Sequence, residues 1–193
     1  MGYKLLIGNK GYDYERIRSW TKNVNIFEKR YVLIPINPPP SNNHWILVAI
    51  DMKEGKVVSY NSLSKNYIKV RENIVKWVQD EANKRGISKK KFEHNDAFAP
   101  KQNNGYDCGV FTCAMMLYLS MKYKINYYDN NSEFISWFRK YMVHCIAKGM
   151  IDTDKFQVVQ TVAKKKEKEE KEEKEEENKK ILFEDDSIVV YKI

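Results

Sequence analysis

Gln102-Asn103-Asn104-Gly105-Tyr106-Asp107-Cys108-Gly109 decides the reading of this chain, because it ends where the apolar run Val110–Leu119 begins. A polar, glycine-containing loop hands a cysteine to the start of a buried helix, predicted over Gly109–Lys122. The thiolate is the reactive form of cysteine, and a helix N-terminus favours negative charge there. Upstream stand Asn42-Asn43-His44-Trp45, an apolar strand, a turn, and Val57-Val58-Ser59-Tyr60-Asn61-Ser62-Leu63. A cysteine, a histidine and an orienting amide are the parts of a thiol-protease centre.

Working outward, Tyr31–Asn37 reads as a strand ending at the Pro38-Pro39-Pro40 loop, and His44–Asp51 as a second strand, apolar enough to be central. Met52–Gly55 turns the chain and Lys56–Asn61 runs back. A hairpin centred near Met52 and Lys53 sets positions 44 and 61 opposite one another within a residue, so imidazole and amide share its open end. Ile68–Lys84 carries Ile74, Val75 and Val78 on one helical face with Trp77 beside it, and Gly86 stands just past its end. Lys91–Phe98 is a short strand or loop. Glu133–Lys148 is an amphipathic helix carrying Phe134, Trp137, Phe138, Tyr141 and Met142, stopped by Gly149.

A length of 193 residues allows one ordinary domain plus a tail, and 42% hydrophobic residues suffice for a core. No apolar run has the length of a membrane span, and no signal segment is expected. The three cysteines cannot all pair, and none stands as C-x-x-C, so neither a disulfide framework nor a metal site is expected. A reducing compartment, nucleus or cytoplasm, fits that usage. The net charge of +8 is uneven: Lys and Glu balance in residues 164–180 and residues 181–193 sum to −2, so residues 1–163 carry +10. Such a surface favours an acidic partner. No nucleic-acid motif accompanies the charge, so a protein partner outweighs nucleic acid.

Each candidate has a plainer reading beside it. Cys108 is either a buried structural thiol or a nucleophile, and its junction position favours the second; Cys113 and Cys145, inside apolar helical patterns, are expected to be buried. His44 as a base would take the thiol proton and form a thiolate–imidazolium pair. His94 and His144 lack such a setting. Asn61 would hold the imidazole, or simply end a strand. Gln102 can donate from its side-chain amide to a developing oxyanion together with the Cys108 backbone N–H, or be a solvated loop residue. Trp45 walls a channel or packs in the core, and residue type alone favours the core.

Together, Ile34-Pro35-Ile36-Asn37, His44-Trp45, Asn61-Ser62-Leu63-Ser64 and the Gln102–Gly109 block resemble the ubiquitin-like-protein-specific (SUMO/sentrin) cysteine protease family in order and spacing, over about residues 1–150. Tyr14 and Ile17–Trp20 resemble the family's segment before the first strand. The resemblance implies a papain-like α+β core with a mixed or antiparallel sheet, and a cysteine protease domain over residues 1–160. It implies His44 as base, Asn61 as orienting residue, Cys108 as nucleophile, and Gln102 with the Cys108 N–H as oxyanion hole. Trp45, Gly105 and Asp107 would border the substrate, a diglycine-ended SUMO-type modifier or its conjugate, cleaved through a thioester. No cofactor, metal or membrane enters, and a monomer is expected.

Two departures accompany the resemblance. The family usually has Asp where this chain has Asn61. Its domain also begins earlier, with a Trp-Leu-Asn-Asp-like motif supplying the opposite channel wall, so this domain reads as N-terminally incomplete. A weak or inactive module that binds a ubiquitin-like protein, and an endopeptidase without that preference, therefore stand as alternatives. Residues 161–180 read as a Lys/Glu-rich linker, with opposite charges spaced for a solvated helix. Residues 181–193 form a β-prone tail in which Asp185-Asp186-Ser187-Ile188-Val189-Val190-Tyr191 loosely resembles a SUMO-interacting motif; an edge strand or a disordered end is the plainer reading.

Overall fold

A computed structural model describes residues 7–8, 11–39, 43–87, 90–123, 125, 131–156 and 172. The linker and tail read in residues 161–193 lie outside these, apart from the helical Glu172. The chain forms two compact units, residues 1–140 and 141–193.

In the first unit, β1 (Ile7–Gly8) pairs with β2 (Gly11–Tyr12) in a small antiparallel ladder. The main sheet has the order β3 (Tyr31–Ile36), β4 (Ile46–Asp51), β5 (Lys56–Tyr60), β6 (Glu93–Asp96). The first three strands are antiparallel neighbours and β6 runs parallel to β5, so the sheet is mixed. Ile46 through Ile50 are all buried, as their unbroken apolar run dictates for a strand covered on both faces. Ile46, Val48 and Ile50 join Val70, Ile74, Trp77 and Val78 of α1 (Ile68–Lys84) in the main core. Successive strand residues alternate faces, which leaves Leu47 and Ala49 for α2 (Cys108–Ser120), the helix that packs on β3 and β4. α3 (Asn131–Lys148) begins in this unit; its Phe134 meets Tyr118 edge-on and stacks with Phe138.

The hairpin register corrects the expected one. Asp51 pairs with Lys56 and Leu47 with Tyr60, which carries position 61 beside position 46 rather than 44. The turn holds four residues: Gly55 donates to the Asp51 carbonyl at 2.9 Å, and the Asp51 carboxylate accepts from the Glu54 N–H at 2.9 Å. Gly55 takes φ 68°, and a side chain there would press on the Lys91 carbonyl at 2.8 Å. Its own carbonyl accepts from Glu93, so this glycine also sets where β6 starts. The two-residue shift keeps side-chain parity, and positions 44 and 61 still meet.

α1 ends as its sequence predicts. Gly86 (φ 71°) follows the cap, with the Ile87 N–H on the Ala82 carbonyl and the Gly86 N–H on the Asn83 carbonyl. α1 also anchors the residues before β3. Glu81, fully buried, accepts from the Tyr14 hydroxyl at 2.7 Å and the Thr21 hydroxyl at 2.5 Å, with Arg85 Nε at 3.6 Å. Asp80 accepts from the Tyr12 hydroxyl at 2.6 Å.

α2 is apolar nearly all round, but Cys113 is exposed rather than buried. Gly109, Cys113, Met116 and Ser120 recur at helical spacing and form its least covered stripe. Cys145 is half-buried. In the second unit, the buried rings of Tyr141 and Phe156 lie 5.6 Å apart, and the Tyr141 hydroxyl donates to the Asp152 carbonyl. Asp152 accepts from His144 Nε2 at 2.9 Å; that bond, with the Lys155 N–H and Lys148, lowers its carboxyl to about 2. Among the described residues, no helix is long and apolar enough to cross a membrane, and no cluster of His, Cys, Asp and Glu could hold a metal ion.

Candidate active site

The loop before Cys108 is ordered by its own asparagine. Asn104 Oδ1 accepts from the N–H groups of Tyr106 (3.1 Å) and Asp107 (3.0 Å), while its Nδ2 donates to Asp107 Oδ2 at 2.7 Å. The other Asp107 oxygen pairs with Arg139 from α3. Burial works against the Asp107 charge, but the Asn104 hydrogen bond and Arg139 outweigh it and hold the carboxyl below its usual range. Asp107 precedes α2 yet does not cap it with its side chain; its backbone carbonyl accepts the Phe111 N–H. The first turn of α2 is thus left without a side-chain acceptor from its own cap, with buried Cys108 as first helical residue.

His44 lies just before β4, buried, with its carbonyl held by Asn37 Nδ2 at 3.0 Å. Its Nε2 is 2.7 Å from Asn61 Oδ1. The local bonds fix the amide's orientation and with it the tautomer. Asn61 Nδ2 donates to the Lys65 carbonyl at 2.6 Å, and Oδ1 accepts the Leu63 N–H at 3.0 Å. Nε2 must therefore carry the proton it donates to Oδ1, which leaves Nδ1 as the ring's acceptor nitrogen.

The chain neighbours of His44 and Cys108 lie against each other. Trp45, next to His44, packs over Gly109, next to Cys108: a Cβ at Gly109 would stand 3.7 Å from the indole. Tyr67 stacks on His44, with ring centroids 6.1 Å apart at 21°. Burial raises the Tyr67 phenol, and a negative charge on Cys108 raises it further. Trp45 is 40% exposed rather than packed in the core: it precedes β4, whose buried run begins at Ile46, and its indole lies over Gly109 on the partly covered stripe of α2.

Gln102 is tied to the loop that follows β5. Its Oε1 accepts from Ser62 Oγ at 2.5 Å, its backbone N–H donates to the Ser62 carbonyl, and its Nε2 donates to the Asn104 carbonyl at 2.7 Å. Lys101 Nζ donates to the Asn61 carbonyl at 2.9 Å. Gly105 is exposed, with open space where a side chain would stand, and Tyr106 beside it is exposed too. His94 lies in β6 and His144 in α3, outside this group. Sequence reasoning missed Asn104, Arg139, Ser62 and Tyr67 as supporting residues. Only Asn104, three residues before Asp107, carried a local signal.

The chain matches the model of the Ulp1 protease family, C-terminal catalytic domain, over residues 7–148. It is 32% identical over 140 residues to sentrin-specific protease 2 of Pongo abelii, covering 69% of this chain and 23% of that protein. It is 30% identical over 156 residues to a sentrin-specific protease of Caenorhabditis elegans, covering 76% and 21%. Among solved structures, a SUMO protease Ulp1 whose catalytic cysteine is oxidised to a sulfonic acid matches with a TM-score of 0.62 at 25% identity, over 76% of this chain and 66% of that one. The C-terminal Ulp1 protease domain in complex with SMT3, the yeast orthologue of SUMO, matches with a TM-score of 0.60 at 25% identity, over 75% and 63%.

Proposed function

Because the chain belongs to the Ulp1 protease family, we propose that it is a cysteine peptidase that hydrolyses the peptide or isopeptide bond after the C-terminal diglycine of a SUMO-type modifier. The observation that supports this reading is the 2.7 Å His44–Asn61 hydrogen bond, which orients the imidazole and makes Nδ1 its acceptor nitrogen, in a chain whose Cys108 opens a helix. The modifier class follows from the sentrin-specific relatives and from the SMT3 complex.

Nδ1 of His44 takes the Cys108 thiol proton, and the thiolate attacks the glycine carbonyl carbon. The oxygen that gains the electron pair is stabilised by the Cys108 backbone N–H and the Gln102 side-chain amide, which Ser62 holds in place. The imidazolium returns its proton to the leaving amine, and the carbon–nitrogen bond breaks to leave a thioester. His44 then takes a proton from water, whose oxygen attacks the thioester; the carboxylic acid leaves and the thiol is restored. Asn61 orients the imidazole without adding charge. Trp45 covers the threaded diglycine, open Gly105 lets the modifier's backbone approach, and Asp107 fixes the loop. The nucleus or cytoplasm is the setting in which this thiol stays reduced.

The neutral Asn61 favours a second reading, a weakly active module that holds the modifier without turning it over. Fluorogenic SUMO and ubiquitin C-terminal amides separate the two. The protease reading expects turnover of the SUMO substrate that Cys108→Ser abolishes. Binding of SUMO without any release of the fluorophore would favour the module.

A further inference from the structure

Asn61 gives the His44 imidazolium a hydrogen bond but no charge, and another residue of the site offers what it lacks. We propose that Tyr67 is a positioning residue of this centre, its ring face stabilising the His44 imidazolium against which it stacks. This rests on the thiolate–imidazolium chemistry proposed above.

The near-parallel rings, 21° apart with centroids 6.1 Å apart, form an offset stack at the outer reach of a cation–π contact. That contact favours the cationic ring over the neutral one, so it favours the ion pair over the thiol and neutral imidazole. Tyr67 is well placed to hold it. Its carbonyl accepts the first α1 hydrogen bonds, from Val70 at 3.0 Å and Arg71 at 3.3 Å, and its ring packs on the main core. Its phenol stays neutral, because burial and the Cys108 charge both oppose ionisation. The titratable and charged groups on the elements that meet here are Tyr67, Cys108, Asp107 with its partner Arg139, and Lys101, whose ammonium sits on the Asn61 carbonyl. Asp107 and Arg139 offset each other and Lys101 disfavours a second cation, so among these groups only the Tyr67 face and the thiolate favour the imidazolium.

The test is alkylation of Cys108 by iodoacetamide in the full chain, followed residue by residue by mass spectrometry from neutral to alkaline pH. Tyr67→Leu should slow Cys108 about threefold at neutral pH, while Tyr67→Phe, which keeps the ring, should match the wild type. All three rates should converge at alkaline pH, where every thiol is ionised. Wild-type and Tyr67→Leu rates that superimpose at neutral pH would overturn the proposal. So would a Tyr67→Leu rate depressed equally at all pH, or a Tyr67→Phe rate as slow as that of Tyr67→Leu. A wild-type Cys108 no faster at neutral pH than exposed Cys113 would sink the catalytic reading itself, and the proposal with it.

Discussion

Two buried polar clusters, one between α1 and the residues before β3 and one at the open end of the β4–β5 hairpin, are built on opposite terms. Glu81 is fully buried, and its carboxylate is taken up by the hydroxyls of Tyr14 and Thr21 with Arg85 beside it. His44 is also buried, with Nε2 committed to Asn61, an arrangement that makes Nδ1 the ring's acceptor nitrogen. Burying a polar group is costly unless it is paired. The first cluster meets that cost in full and fastens the residues before β3 to α1. The second keeps one lone pair for chemistry and is stiffened from outside, by Lys65, Leu63 and Tyr67.

The contrast breaks most visibly by mutation. Cys108→Ser should lower turnover by at least about a thousandfold while leaving the thermal midpoint in place; Cys113→Ser and Cys145→Ser should change neither. Glu81→Ala should do the reverse. Removing the shared acceptor strands the Tyr14 and Thr21 hydroxyls, at a cost of about 3 kcal/mol in urea unfolding, whereas the folded fraction should keep its Cys108 reactivity. If Glu81→Ala kept full stability, the clamp would be incidental.

A smaller effect belongs to Asn61. Asn61→Leu should cut kcat/KM on the order of a hundredfold without unfolding the domain, while Asn61→Asp should keep or raise activity by adding charge behind the imidazolium. Superimposable pH–rate profiles for wild type and Asn61→Leu would reduce Asn61 to a turn residue.

The smallest belongs to Asp107. Its carboxyl is lowered in the folded chain, so it contributes stability above its unfolded pKa that is lost as pH falls through the folded one. Half-exposed Arg139 screens its share, so Arg139→Gln should cost about 0.5 kcal/mol at neutral pH and less in acid. A cost that grows as the pH falls would reverse the assigned sign.

What the sequence made legible was local. The loop–helix junction at Cys108, the span of α1 with its Gly86 cap, and the buried run of β4 are each written in consecutive residues. The His44–Asn61 encounter was legible through the hairpin, although the Met52–Gly55 turn centres between Lys53 and Glu54 rather than between Met52 and Lys53, which moves the register by two residues. The contacts that stiffen the site join distant positions: Ser62 with Gln102, Asp107 with Arg139, and β6 laid parallel on β5. Nothing in the pattern of either partner announces such pairings. Cys113 was misplaced because a helix apolar all round does not reveal which stripe its neighbours leave open.

The most direct test of the central claim is to treat the wild-type chain with a SUMO-type modifier ending in a vinyl sulfone in place of the diglycine carboxylate, and to map the adduct by peptide mass spectrometry. The account predicts one modifier per chain, attached to Cys108, and no adduct after His44→Ala. An adduct on Cys113 or Cys145, or stable binding of the modifier with no adduct, would contradict it.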